Sequence, residues 1–252
     1  MLRNYQNLLQ RSVAGMSHPL VPVPHFSQDR HSSSSPISSR CTSHIFRRTS
    51  ASSSAPSRSG MMRPDGPVFN QLAQITDYLF LSGARAVHYS RIVERGITCV
   101  INVTIELPNL PIPNVEYVKV PVDDTPYANL FNYFDVVADK IAEVRRQGGR
   151  TLVHCIAGVS RSATLCIAYL MKYEGMSLRK AYLHVKARRP IAHPNHGFFK
   201  QLIDYERRLF GQETVRMVNS TAGLIPDVYE EEYRNIVWLS TYKSDFGTCT
   251  PT

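Results

Sequence analysis

The stretch from Ser162 to Tyr173 is apolar on nearly every side of a helix and ends at Gly175. A helix that is apolar all round has to be buried all round, so other elements must cover each of its faces. The residues just before it are as demanding. Thr151 to His154 form a strand too short and too apolar to lie anywhere but inside a sheet. Between the two runs His154-Cys155-Ile156-Ala157-Gly158-Val159-Ser160-Arg161-Ser162. A buried strand joined to a buried helix by so short a loop is a building unit of a layered α/β domain.

The chain beyond residue 66 repeats that alternation. Tyr78 to Leu81 read as a strand, Ala86 to Glu94 as a helix closed by Gly96, Ile97 to Val103 as a buried strand, and Tyr117 to Val122 as another. Leu130, Phe134, Val137, Ile141 and Val144 recur at helical steps, in a helix that stops at Gly148 and Gly149. Ser177 caps a helix that must end before Pro190. Asn195 caps another whose inner face is Phe198, Phe199, Leu202, Ile203 and Leu209, with Gly211 as its stop. The expected fold class is α/β, a mostly parallel central sheet flanked by helices, over residues 68–212. Residues 213–252 form a C-terminal extension, of which Val215 to Tyr229 packs on the domain and the last dozen residues are loose.

Composition sets the remaining bounds. The Ser/Arg-rich segment 1–67, with runs at Ser32 to Ser35 and Ser52 to Ser54, buries too little apolar surface to offset the entropy of ordering it and reads as disordered. Residues 1–60 also have the composition of a mitochondrial transit segment, and Met61 or Met62 could serve as a later start. The formal net charge of +9 raises the question of an anionic partner: nucleic acid, a membrane surface or a phosphorylated substrate. Lys186, Arg188 and Arg189 lie near a helix end, where cations are favoured anyway, and no recognised nucleic-acid motif accompanies them, so none is expected as a partner. The five cysteines, Cys41, Cys99, Cys155, Cys166 and Cys249, are odd in number and widely spread. Neither a disulfide framework nor a zinc site is indicated, and a reducing compartment fits best. No run has the length of a membrane-spanning helix, and the expectation is a soluble intracellular protein.

The segment that carries chemistry holds a cysteine and an arginine separated by five residues. A loop of that length can curl so that successive N–H groups point inward, and the helix that follows adds its positive end to the same spot. An anion the size of phosphate would sit there. Gly158 lets the chain bend with positive φ and approach the ligand. The donors that would bind phosphate also stabilise a thiolate at Cys155, the form that attacks phosphorus. Arg161 can donate two parallel hydrogen bonds to phosphoryl oxygens. Ser162 is placed to donate to the sulfur, and His154 to order the loop through backbone hydrogen bonds. Cys166 lies on the buried helix and reads as packing; a reversible disulfide with Cys155 would need their Cα atoms within about 7 Å.

With His154-Cys155, five residues, Arg161-Ser162, this run resembles the signature of the cysteine-based protein tyrosine phosphatase superfamily. Its continuation through Ala163 and Ala168-Tyr169-Leu170-Met171 is similar to the small atypical dual-specificity phosphatases, as are Ala73-Gln74-Ile75, Ile101-Asn102 and Arg188-Arg189-Pro190. The resemblance spans Leu72 to Tyr229. It implies a protein tyrosine phosphatase-like fold, and hydrolysis of phosphoserine, phosphothreonine and phosphotyrosine in proteins through a cysteinyl-phosphate, without a metal or cofactor. It makes Cys155 the nucleophile and Arg161 and Ser162 its partners, with Ile156, Ala157, Gly158, Val159 and Ser160 around the phosphate. It places a general acid at Asp124, in Asp123-Asp124-Thr125-Pro126. By itself that pair reads equally well as a solvated cluster at a helix start. Asn102 has two readings, a hydrogen bond to the phosphate loop or a strand-end turn. Superfamily members acting on inositol lipids carry lysines in the loop. Ile156, Ala157 and Val159 therefore favour a phosphoprotein substrate, for which the resemblance suggests a mitogen-activated kinase. A phosphoinositide or RNA phosphatase and a phosphate-binding adaptor are the alternatives. The expected location is cytoplasmic or nuclear, and mitochondrial if residues 1–60 act as a transit segment.

Overall fold

The computed structural model describes residues 69–221 and 223–234. The expectations for residues 1–67 and for the last dozen residues lie outside them, as do Cys41 and Cys249. A five-stranded sheet forms the middle of the structure. Its strands are β1 (Ala73–Gln74), β2 (Leu79–Gly83), β3 (Cys99–Asn102), β4 (Glu116–Lys119) and β5 (Thr151–Cys155), in the order β1-β2-β5-β3-β4. Only β1 runs antiparallel to its neighbour. The sheet is therefore mostly parallel, with β5 at its centre, buried along its whole length.

The pleat sorts side chains to two faces. Leu79, Leu81, Cys99, Ile101 and Val153 point into the larger core, while Phe80, Val100 and Leu152 point into a smaller one. The larger core lies under α2 (Phe134–Arg146), α3 (Arg161–Glu174), α4 (Leu178–Arg188) and α5 (His196–Phe210). The smaller is covered by Ile92 of α1 (Tyr89–Glu94) with Ile97 and Ile112. Helix α3 is buried from Arg161 through Met171, as its composition requires, and ends on Gly175 in the left-handed conformation. Ser177 and Asn195 cap α4 and α5 with their side chains, and Gly211 closes α5.

Where the boundaries differ from the sequence reading, a local cause is visible. The helix expected over 86–94 is split into a 3₁₀ turn, Ala84–Ala86, and α1. The Ala84 N–H is spent on Ile156 O at 3.0 Å, and Val87 and His88 run extended before the helix resumes. The strand expected over 117–122 stops at Lys119: Val120 N still donates to Asn102 O, but Pro121 has no N–H to continue the ladder. Three strands were not expected. One is β1; the others are β6 (Met217–Ser220) and β7 (Gly223–Pro226), an antiparallel hairpin. Val215, Ile225 and Tyr229 sit in the larger core. Glu206, fully buried on α5, fastens this region by accepting from Leu178 N, Thr214 N and Thr214 Oγ1, each at 2.7 Å.

The C-terminal ends of β2, β5 and β3 finish level with one another, Gly83 opposite Cys155 and Asn102 opposite His154. In a parallel sheet that edge is where ligands bind, because loops converge there and the next helix points its N-terminus at it.

Candidate active site

Cys155 is the last residue of β5, and Arg161 the first of α3. The five residues between them form a loop in which every carbonyl is held by a donor from elsewhere. Ala84 N holds Ile156 O at 3.0 Å and His193 N holds Val159 O at 2.8 Å. Arg189 spans two carbonyls, with Nη2 at 2.8 Å from Ala157 O and Nε at 2.6 Å from Gly158 O. Thr164 holds Ser160 O with both its N–H and its hydroxyl, each at 2.9 Å. A peptide plane points its carbonyl and its N–H in opposite directions. Fixing five carbonyls on the outside therefore turns the following N–H groups to the inside, where the α3 N-terminus adds its partial positive charge.

Cys155 Sγ lies at the base of this cup. It accepts from Gly158 N at 3.2 Å and from Ser162 Oγ at 3.1 Å. Gly158 has φ of +67°, and a Cβ there would lie 2.4 Å from the Ser82 carbonyl carbon, so only glycine lets the loop lie against β2.

Arg161 is buried, and its Nη1 donates to both carboxylate oxygens of Glu106 at 3.0 and 3.1 Å and to Val122 O at 3.1 Å. Burial works against the charged form of Glu106, but the Arg161 guanidinium and nearby backbone N–H groups outweigh it and hold its carboxyl below the usual range. Arg161 Nε is a buried donor with no hydrogen-bond acceptor among the described residues and lies 3.6 Å from Asp124 Oδ2. The other oxygen of Asp124 accepts from Ser160 Oγ at 2.7 Å and from Asn195 Nδ2 at 2.9 Å. One end of the loop thus carries the sulfur, and the other fastens a carboxylate from the β4–α2 connection. Asp123 stays at the surface and accepts from Asp124 N.

The remaining residues singled out in the sequence fall as follows. Ile156, Ala157 and Val159 are half-buried at the loop surface. His154 Nδ1 lies 3.4 Å from Cys155 O, and burial, aided by Lys119 and Arg161, pulls its ring down to about 4 and keeps it neutral. Asn102 takes the second of its two readings. Its Nδ2 donates to Leu107 O, Pro108 O and Asn109 Oδ1 and its Oδ1 accepts from Thr104, so its side chain braces the loop that carries Glu106 and, among the described residues, makes no hydrogen bond to the phosphate loop. Cys166 is fully buried with its thiol pushed up by burial, in keeping with packing. Cys99, Cys155 and Cys166 are all free thiols.

Glu106, Arg189 and Asn195 were not picked out from the sequence as site residues. Arg189 appeared there with Lys186 and Arg188 as a cation near a helix end, yet it is 1% exposed and serves the loop carbonyls. A clue lay in Pro190: an arginine directly before a proline at a helix end has its backbone pushed out of the helix, so its side chain can turn back toward the core.

Residues 79–208 match the dual specificity phosphatase catalytic domain family. The chain belongs to that family. Among curated proteins it is 58% identical over 167 residues to dual specificity protein phosphatase 14 of Homo sapiens, covering 66% of this chain and 84% of that one. It is 52% identical over 176 residues to dual specificity protein phosphatase 18 of Rattus norvegicus, covering 69% and 86%. A solved mouse putative dual specificity phosphatase, complexed with zinc tungstate, shares 38% identity over 61% of this chain and 95% of that one, with a TM-score of 0.55. The protein is thus a dual-specificity protein phosphatase with the protein tyrosine phosphatase-like fold, acting on phosphoproteins.

Two outcomes are expected for this phosphatase. Arg189→Met releases two loop carbonyls while keeping an apolar stem in place, and should weaken orthovanadate binding, measured by calorimetry, by about tenfold or more. Acidification should destabilise the fold. The rings of His154 and His193 are both pulled down to about 4, chiefly by burial, so between pH 6.5 and 4 the unfolded chain takes up protons that the folded one does not. Urea titrations should show stability falling with decreasing pH in that window by up to about 1.4 kcal/mol per unit for each ring. His154→Gln should flatten the slope.

Proposed function

We propose that Cys155, Arg161, Asp124 and Ser162 carry out the two displacements at phosphorus. The observation that carries this reading is the pair of donors on one sulfur, Gly158 N–H and Ser162 O–H, inside a cup of amides facing an arginine. Both donors aim at the atom that attacks phosphorus and later departs from it. In the first step the Cys155 sulfur forms a bond to phosphorus as the bond to the leaving oxygen breaks. Asp124, protonated, gives its proton to that oxygen. In the second step water attacks phosphorus, Asp124 takes up the water proton, and the phosphorus–sulfur bond breaks. The Ser162 hydroxyl then receives the departing thiolate. The inward amides of Ile156 to Arg161 and the guanidinium hold the equatorial oxygens. The unsatisfied Nε of Arg161 supports this reading, because a buried donor without an acceptor is kept at a cost. A relative complexed with zinc tungstate, a tetrahedral oxyanion salt, supports it as well.

The loop side chains offer no cation beyond Arg161, which favours singly phosphorylated protein sites over the more highly charged inositol lipids. A mitogen-activated kinase is the substrate that family resemblance brings forward. Free thiols at Cys99, Cys155 and Cys166 suit a reducing compartment, cytoplasmic or nuclear, with mitochondria as the alternative set by residues 1–60. Among the described residues no helix is long and apolar enough to cross a membrane.

Cys155→Ser should abolish turnover of aryl phosphates and leave orthovanadate binding measurable. Asp124→Ala should slow turnover by about a hundredfold for poor leaving groups and far less for good ones. Steady-state kinetics with a series of substituted phenyl phosphates checks both. Undiminished turnover by Cys155→Ser would overturn the assignment.

A further inference from the structure

Beyond α5 the chain leaves the matched catalytic domain, turns through the β6–β7 hairpin and lies back over α4 and α5. Its contacts reach α4, α5 and the short stretch between them, Pro190 to Asn195, which has no regular secondary structure of its own. Tyr229 is fully buried there. Its hydroxyl donates to Pro194 O at 2.9 Å, and its ring stacks on His193 with centroids 3.9 Å apart. Phe199 of α5 and Tyr182 of α4 pack on the same ring. Glu232 pairs with Lys186 at 2.9 Å, and Lys186 in turn donates to Ala192 O. Leu224 O in the hairpin lies 2.7 Å from His196 Nδ1. Asp227 is tied to Arg179 at 2.6 Å, which fixes the segment against α4.

The same stretch faces the active site on its other side. Arg189, just before it, holds Ala157 O and Gly158 O, and His193 N holds Val159 O. The Asn195 N–H donates to Ser160 Oγ at 3.1 Å and its side chain donates to Asp124. The following residue but one, Gly197, lies so close to the acid-bearing connection that a Cβ would fall 1.8 Å from Pro126 O. A stretch without its own hydrogen-bond ladder takes its position from what it is bonded to. On one side that is the phosphate loop and the acid; on the other it is the C-terminal segment.

We infer that residues 215–221 and 223–232 act as a strap that sets the general acid, with Tyr229 as a positioning residue that acts through Pro194 and Asn195 on Asp124. The inference rests on the role proposed above for Asp124. It treats the buried tyrosine as part of the machinery of proton donation and not only of the core. A displaced Asn195 would leave the nucleophile in place but let the carboxyl wander from the leaving oxygen. Its signature is therefore a dependence on leaving group.

The test uses the full chain and compares phenyl phosphate, a poor leaving group, with para-nitrophenyl phosphate, a better one. Tyr229→Phe, which keeps the ring and loses only the bond to Pro194, should lower kcat/KM for phenyl phosphate about fivefold, the weight of one net hydrogen bond, with little change for the nitrophenyl ester. Tyr229→Ala should enlarge the same asymmetry. Ile92→Ala, in the smaller core on the opposite face of the sheet, supplies the comparison: it should lower the melting temperature without changing the ratio between the two substrates. Should Tyr229→Ala fail to fold, Tyr229→Phe still decides. Tyr229 variants that lose thermal stability yet keep the wild-type ratio would overturn the strap and leave the phosphatase mechanism standing. A wild-type ratio already as steep as that of Asp124→Ala would remove the acid assignment, and the strap with it.

Discussion

Five carbonyl oxygens held to the outside of one short loop are the constraint on which the rest of this structure turns. An isolated segment of this length would have no reason to aim its amides at a common point, since like dipoles repel. Here each carbonyl is claimed by a donor from β2's exit, from α3, or from the stretch between α4 and α5. The amides are therefore aimed by the protein's own hydrogen bonds, the kind of fixed donor array that stabilises negative charge at little reorganisation cost. The sulfur of Cys155 already occupies the focus and takes two of the inward donors for itself.

Charge is arranged with the same economy. Arg161 is buried and meets two partly exposed carboxylates, Glu106 at Nη1 and Asp124 near Nε. Burying a lone guanidinium would be costly, and Glu106 offsets that cost with two hydrogen bonds to one nitrogen. Asp124 is left with a looser contact to Arg161, and its firm bonds go to neutral partners, Ser160 and Asn195. The two carboxylates thus have different surroundings: one is locked to the arginine and the other is held near it by side chains that can let go. A group that must give up and regain a proton, the role proposed for Asp124, needs the second kind.

How much of this can be read from the sequence depends on how local each part is. Cys155, Gly158, Arg161 and Ser162 share a single loop, and their spacing alone says that a strand end, a tight bend and a helix start come together there. The burial of α3 and the caps at Ser177, Asn195 and Gly211 follow from periodicity and short-range chemistry in the same way. Asp124 could be singled out only through family resemblance, because two adjacent acids before a helix are commonplace. Glu106, Arg189 and Asn195 reach the loop from 49, 34 and 40 residues away from Cys155 in the numbering, and no local pattern reports a contact made across the fold. Arg189 is the clearest case, a basic residue in a basic stretch that turns out to be among the largest fully buried side chains. The strand β1, only two residues long, and the β6–β7 hairpin escaped notice because neither carries an extended apolar alternation.

The donors around the loop come from positions as far apart as Ala84 and His193, so the cup exists only once the whole domain has closed. Affinity for an oxyanion is in that sense a global property. A phosphate group held there as proposed would act as a tertiary staple, and by mass action it would stabilise the complete domain against unfolding by an amount that grows with the logarithm of its free concentration once that exceeds its dissociation constant. Substrate and fold reinforce each other: a nascent chain that ends before His193 has the cysteine and the arginine but leaves the Val159 carbonyl without its donor, and the bowl closes only once that stretch has docked.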